Sequence, residues 1–217
     1  MSRSSAWIMT AVTIAAASCA TPCHSAELLM NADGDYDNAA YWDYGGVALP
    51  DYGAFAERYD GIGSATQLVV DLTGIGLTVF ADVDLYLWQD DEGVPGQVIR
   101  HEPQVVVPGT YPFYPAFGRF FLDFSSPVAV NGTWWIGYWP NWPSSNFVFA
   151  IGLDADGDSV TGATKVAPGQ DWPQGWQALD TVWPGGKHFG IGAMFEPSPP
   201  VPVETTSWGR VKAIYGR

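Results

Sequence analysis

The clearest periodic stretch is 81–96, ADVDLYLWQDDEGVPG. Val83, Leu85 and Leu87 alternate with Asp82, Asp84, Tyr86 and Trp88, and a period of two sends the two sets to opposite faces of a strand. The aliphatic set is expected to face a core, and Asp82 and Asp84 to face water or a cation. Asp90, Asp91, Glu92 and Gly93 stop the strand. Val94, Pro95 and Gly96 are expected to make the turn, because proline presets φ and glycine accepts positive φ.

Further strands are expected at 54–59, 67–72, 97–107, 117–124, 133–139, 146–153 and 188–195. Gly61, Gly63 and Ser64 are expected to break the chain between the first two. Pro103 forces a bulge or an edge position in 97–107, since it has no N–H to give a ladder. Phe120, Leu122 and Phe124 alternate with Arg119, Phe121 and Asp123. Phe189, Ile191, Ala193 and Phe195 share one face of the last strand. Asn131, Gly132 and Thr133 match a glycosylation acceptor, but the glycine reads first as a turn between Val130 and Trp134. No stretch keeps a helical period and no fixed-length repeat is present, so the pattern predicts an all-β fold, an antiparallel β-sandwich or jelly roll.

Two segments stand outside that pattern. Residues 154–187 read as one long Trp-rich loop without a strand, and loops of this length are functional or disordered. Residues 196–206 form a Pro-rich linker, followed by a basic-aromatic tail at 207–217. Thr206 or Ser207 can cap a short helix there, with Trp208, Val211 and Tyr215 on one face.

The N-terminus reads as a secretory signal peptide over 1–26: Arg3 supplies a positive start, and the apolar run 6–17 is too short to span a bilayer. Cleavage after Ala26 leaves Glu27 first and the β domain at 27–195; cleavage after Ala20 competes with it. A lipoprotein signal ending at Cys19 is a third reading, although the usual leucine three residues earlier is missing. Cys19 and Cys23 both fall in this segment, so cutting after Ala26 leaves no cysteine. A chain of about 190 residues can bury enough apolar area to do without disulfides. Export without disulfides points to a bacterial route.

Composition narrows the partners. The 217 residues carry 23 acids against 9 bases, a net charge of −14. That balance argues against nucleic acid, whose phosphates need Lys and Arg, and against anionic membrane surfaces. It suits an extracellular protein, a cation binder or a partner of neutral sugars. Aromatics reach 15%, enough for a large β core with rings left for a surface.

Candidate chemistry is limited. Asp154, Asp156 and Asp158 alternate, and 31–35 repeats the shape; carboxylates at this spacing can converge on calcium. Glycine in the fourth position and the lack of a closing acid exclude an EF-hand, and an Asx-rich turn is the competing reading. Trp172, Trp176 and Trp183, with Trp139 and Trp142, could form a sugar-stacking platform with Asp171, Gln174 and Gln177 as polar partners. Alternatively these rings bury and pin the loop. Asp82, Asp84, Asp90, Asp91 and Glu92 could offer a carboxylate pair for glycoside hydrolysis, against a solvated strand face and turn. His101 and His188 sit in no metal-ligand spacing, and no G-x-S-x-G occurs.

The segments DVDLYLW, DDEGVPGQVI, GTWWIGYW, APGQDWPQGWQ and TTSWGRVKAIYGR together resemble uncharacterised secreted bacterial β-sandwich proteins that close on a WGxIKxxY-like tail. DVDLYLW alone is similar to a strand of pre-peptidase C-terminal domains. These resemblances imply a secreted sandwich module and no reaction. The expected function is a non-catalytic, secreted or surface-exposed module that binds a polysaccharide or cell-surface component or serves structurally. A jelly-roll glycan hydrolase or lyase and a lipidated outer-membrane protein are the alternatives.

Overall fold

A computed structural model describes residues 25–42, 51–75, 81–107, 110–140 and 149–199. The signal segment up to residue 24, Trp142 and the tail at 207–217 lie outside the described residues. The chain is built from antiparallel strands: β1 (Glu27–Met30), β2 (Asn38–Ala40), β3 (Phe55–Gly74), β4 (Ala81–Asp91), β5 (Val94–Val107), β6 (Gly118–Trp139), β7 (Phe149–Asp154), β8 (Gly162–Val166), β9 (Gly175–Ala178), β10 (His188–Phe189) and β11 (Ile191–Pro197). Among the described residues a single helical turn, α1 (Leu179–Val182), is the exception. The main path across the sheet is β1-β11-β3-β6-β4-β5. No helix among the described residues is long and apolar enough to cross a membrane.

β3 and β6 form the spine, paired from Phe55↔Tyr138 to Leu72↔Gly118. Each was expected as two strands. In β3 the glycines that suggested a break, Gly61 and Gly63, instead allow close approach. A Cβ on Gly63 would sit 2.2 Å from the Glu196 carbonyl oxygen and 2.7 Å from the Phe195 ring, so Gly63 lets β11 lie against β3. The register slips once, where residues 124–127 of β6 stand opposite Thr66. Pro127 lies in this excursion, a place where a missing N–H costs no ladder bond. The other edge of β3 is shared in turn by β8 at Phe55–Glu57, by β11 at Gly63–Val70 and by β7 at Leu72–Gly74.

The β4–β5 hairpin turns at Glu92 and Gly93, with φ of 54° and 91°, and Asp91 pairs Val94. Two positive φ values in a two-residue loop suit the twist of the flanking strands. The turn therefore precedes Val94-Pro95-Gly96, and β5 starts earlier than expected. Pro103 does what its chemistry demands: β5 is an edge strand, and residues 103 and 104 bulge opposite Asp84.

Val83, Leu85 and Leu87 are buried in the main core with Phe55, Leu68, Val70, Leu122, Ile136 and Ile191. Each such side chain contributes about 1.5–3 kcal/mol on leaving water. The opposite face of β4 is covered too. Tyr86 and Trp88 join Trp135, Trp139, Ala56 and Ala163 in a second apolar cluster, against which Trp176 packs. Asp82 is exposed as expected, but Asp84 is 5% exposed and does not face water. It accepts from Gln104 N at 3.0 Å and pairs His101 Nε2 at 2.8 Å, so the β5 bulge encloses it.

Residues 154–187 are not one loop. β8 pairs β3, β9 pairs β8, and α1 buries Leu179 and Val182. These elements are four or five residues long and partly built from glycine and alanine, too short to leave a period. The last strand runs to Pro197, two residues into the expected linker, and Ser198 N still donates to Ile62 O at 2.9 Å.

Candidate functional site

The two acidic turns meet. β2 pairs β7 through Asn38↔Leu153, which places Asp37 beside Asp154. Asp37, Asp154 and Asp156 bring one carboxylate oxygen each within 4.8 Å of one another. Asp154 is 1% exposed, and the other two face solvent. Its Oδ1 accepts Asp156 N at 2.7 Å and its Oδ2 accepts Asp33 N at 3.2 Å. Asp37 Oδ2 accepts Ala155 N at 2.8 Å. Asp158 is exposed and outside this group, and Asp33 caps its own turn by accepting Asp35 N at 2.7 Å. Thus both turns are Asx turns, and Asp154 and Asp156 are joined by Asp37 rather than Asp158. Oxygens in this arrangement are the donors a hard divalent cation such as calcium takes.

Asn31 turns away from that cluster. Its Nδ2 donates to Glu57 Oε1 at 2.9 Å and to Arg58 O at 3.1 Å. Glu57 is fully buried, and it also accepts from Phe189 N at 3.0 Å and from the Thr161 hydroxyl. Thr161 Oγ1 lies 2.5 Å from His188 Nδ1, so the hydroxyl links imidazole to carboxylate. Hydrogen bonding to Glu57 holds the His188 imidazole above its ordinary value, against the opposing effect of burial. A second buried acid, Asp71, is clamped by Arg119 through Nε at 2.8 Å and Nη2 at 2.7 Å, and by the Tyr36 hydroxyl. Burial and the Asp71 contact push the Tyr36 hydroxyl far up. These networks tie the 31–37 segment to the sheet and leave neither acid open to a ligand.

The tryptophans separate into two groups on opposite faces of β8. Trp183 packs against Trp42, Phe189 and Phe55 at ring distances of 5.1, 6.0 and 6.2 Å, on the side of the main core. Trp172 meets Trp42 edge-on at 5.7 Å, and Trp42 Nε1 donates to Thr164. On the other face, Trp176 stands edge-on to Trp88 at 5.2 Å. Trp139 is 8% exposed and donates from Nε1 to Tyr52 O at 2.8 Å. Gln174 Nε2 donates to the Tyr52 hydroxyl at 2.8 Å, and the Lys165 ammonium lies 4.9 Å from the Tyr52 ring centre. Asp171 is exposed. A single five-ring platform is therefore not formed, since Trp172 and Trp183 lie apart from Trp139 and Trp176.

What sequence reading missed is the aromatic stack beneath Trp176. His101, Tyr86 and Trp88 lie nearly parallel in series, at 4.4 Å and 5.1 Å between rings. The period-two pattern put Tyr86 and Trp88 on one face, but nothing in it showed that β9 would cover them. Burial pushes the Tyr86 hydroxyl up to about 12, with Asp84 adding to it. No family model matches this chain, and no curated protein matches it.

Proposed function

We propose that the chain is a non-catalytic, secreted or surface-exposed module that binds a neutral polysaccharide or cell-surface glycan. The observation that carries this reading is the face around Trp176. Its half-buried ring rests on Trp88, and its strand partner Lys165 reaches over the Tyr52 ring, whose hydroxyl Gln174 holds. A held aromatic edge flanked by amides and hydroxyls offers apolar contact for sugar C–H groups and hydrogen bonds for hydroxyls at little ordering cost. The net charge of −14 favours neutral over anionic polymers. Against a hydrolase stands the use already made of the acids. Asp84 is enclosed, and Asp90 accepts from Trp135 Nε1 at 2.8 Å and Gly93 N at 3.2 Å.

The fold reading goes with it: a sandwich-like shell made by a long sheet curling over itself. Support comes from Val83 of β4 and Val107 of β5, which converge on Val70 and Leu72 of β3 around one interior point. The resemblance to secreted bacterial sandwich modules adds to this.

The test is affinity electrophoresis through gels containing neutral polysaccharides, with wild type beside Trp176→Ala. Retardation by at least one polymer, lost in the variant while it remains folded at the temperature of the gel, is expected. Equal mobility of both proteins in every polymer gel would overturn the reading.

A further inference from the structure

An open cleft of about 420 Å³ lies where the β4–β5 hairpin meets the middle of β6. Its volume is in the range of small-molecule sites, roughly 300–1,000 Å³. Ile99, Val130 and Trp134 supply apolar wall, and Gln89, Asp90 and Asn131 supply polar groups. None of the lining residues is basic, and both oxygens of Asp90 already accept protein N–H groups. Gln89 and Asn131 are exposed, and no hydrogen bond to another described residue holds either carboxamide.

Trp134 is 1% exposed, stacked with Phe195 and against Tyr59. Its Nε1 is the one buried side-chain nitrogen or oxygen without a hydrogen-bond partner among the described residues. Indole N–H is a donor only, so the missing partner is an acceptor. A buried donor left unpaired is a standing cost that an entering acceptor removes.

We propose that this cleft binds one residue of a neutral sugar, and that Trp134 Nε1, otherwise closed to solvent, is completed by one of its oxygens as the exposed rim side chains move aside. Each part of the lining selects for that class. An anion finds no base and meets the field of a strongly acidic protein. A cation finds two amides, an N–H donor and a carboxylate already in use. A purely apolar ligand would leave the indole unpaired. A neutral sugar places C–H faces on Ile99 and Val130, and hydroxyls that both donate and accept against Gln89 and Asn131. The cleft borders the main core, whereas Trp176 packs on the opposite sheet face. It shares a ligand class with the Trp176 surface but none of its residues, so the two readings fail separately.

The full chain, labelled with 15N at tryptophan, is titrated with glucose, galactose, mannose, xylose and arabinose, and with glucuronate and glucosamine as charged controls. The indole N–H signal absent from Trp134→Phe is followed. At least one neutral sugar should move that signal to saturation, and should do so equally in Trp176→Ala. Asn131→Ala and Gln89→Ala should each weaken the binding about five- to tenfold. A Trp134 signal that stays fixed with every neutral sugar overturns the proposal, as does stronger binding of either charged control. Affinity unchanged in both rim variants overturns it too. These two substitutions are on exposed side chains, so they decide the matter even where Trp134→Phe does not fold.

Discussion

Gly61 of β3 stands directly opposite Gly132 of β6. Gly132 has a φ of 79° and open space where a Cβ would go, whereas Gly63, two residues along β3, has no such space. The glycines thus serve different ends, one conformational and one steric. Gly132→Ala should cost about 1 kcal/mol, the strain of a left-handed residue. Gly63→Ala should cost more, about 1–3 kcal/mol or above, because backbone of β11 must move. Urea melts of the two variants decide this, and an equal loss in both would contradict the distinction.

Both faces of β4 are covered, so substitutions on either should be felt. Leu85→Ala should lose about 2–5 kcal/mol. Asp84→Ala should lose about 1–3 kcal/mol, the cost of leaving the Gln104 N–H unpaired. Asp82→Ala, at an exposed position, should lie within about 0.5 kcal/mol of wild type. A neutral Asp84→Ala would mean that the β5 bulge does not depend on that carboxylate.

If the acidic cluster takes calcium, ligand linkage will raise the melting temperature. At a hundredfold excess over Kd the gain is about 2.7 kcal/mol. The cluster geometry makes a sharper forecast than the presence of acids. Asp37→Ala and Asp156→Ala should remove the rise, and Asp158→Ala should keep it. Scanning calorimetry with calcium and with chelator reads each variant. Identical curves in wild type would leave the Asx turns as the whole explanation.

His188 gives a pH dependence whose sign is fixed by its partner. Its imidazole is held above the ordinary value in the fold, chiefly by Glu57, so the folded state binds the proton more tightly than the unfolded chain. The stabilisation is fully present below about pH 6.5, the ordinary imidazole value, and declines as pH rises through the higher folded value. Denaturant titrations across neutral pH should show that decline, and His188→Gln should flatten it. A wild-type profile that rises over this interval would contradict the assignment.

The sequence displayed β4 almost in full, since five-residue alternation of Val83, Leu85 and Leu87 with Asp84 and Tyr86 is a local property. It also displayed the outward and inward sets of β6 near Phe120 and Leu122. Other features depended on partners far along the chain. Gly63 reads as a breaker until Phe195 is seen beside it. Asp37 is one acid among several until Asn38↔Leu153 sets it next to Asp154. β8 and β9 are too short to print a period. For the candidate site, the individual tryptophans were visible, but their division between two faces follows from the pairing of β8 with β3 and β9.

Among the described residues β1 finds its only ladder partner in β11, with Glu27 opposite Phe195. The same late strand fills the middle of the β3 edge. β1 therefore waits for a strand about 160 residues later: among the described residues it has nothing to pair with until those near 191–197 have been made. Closing so long a span before its contacts form is entropically slow, and places such folds in the millisecond-to-second regime rather than the microsecond one. During synthesis the early strands stay open, and completion of the sheet is a late event set by the arrival of one seven-residue strand.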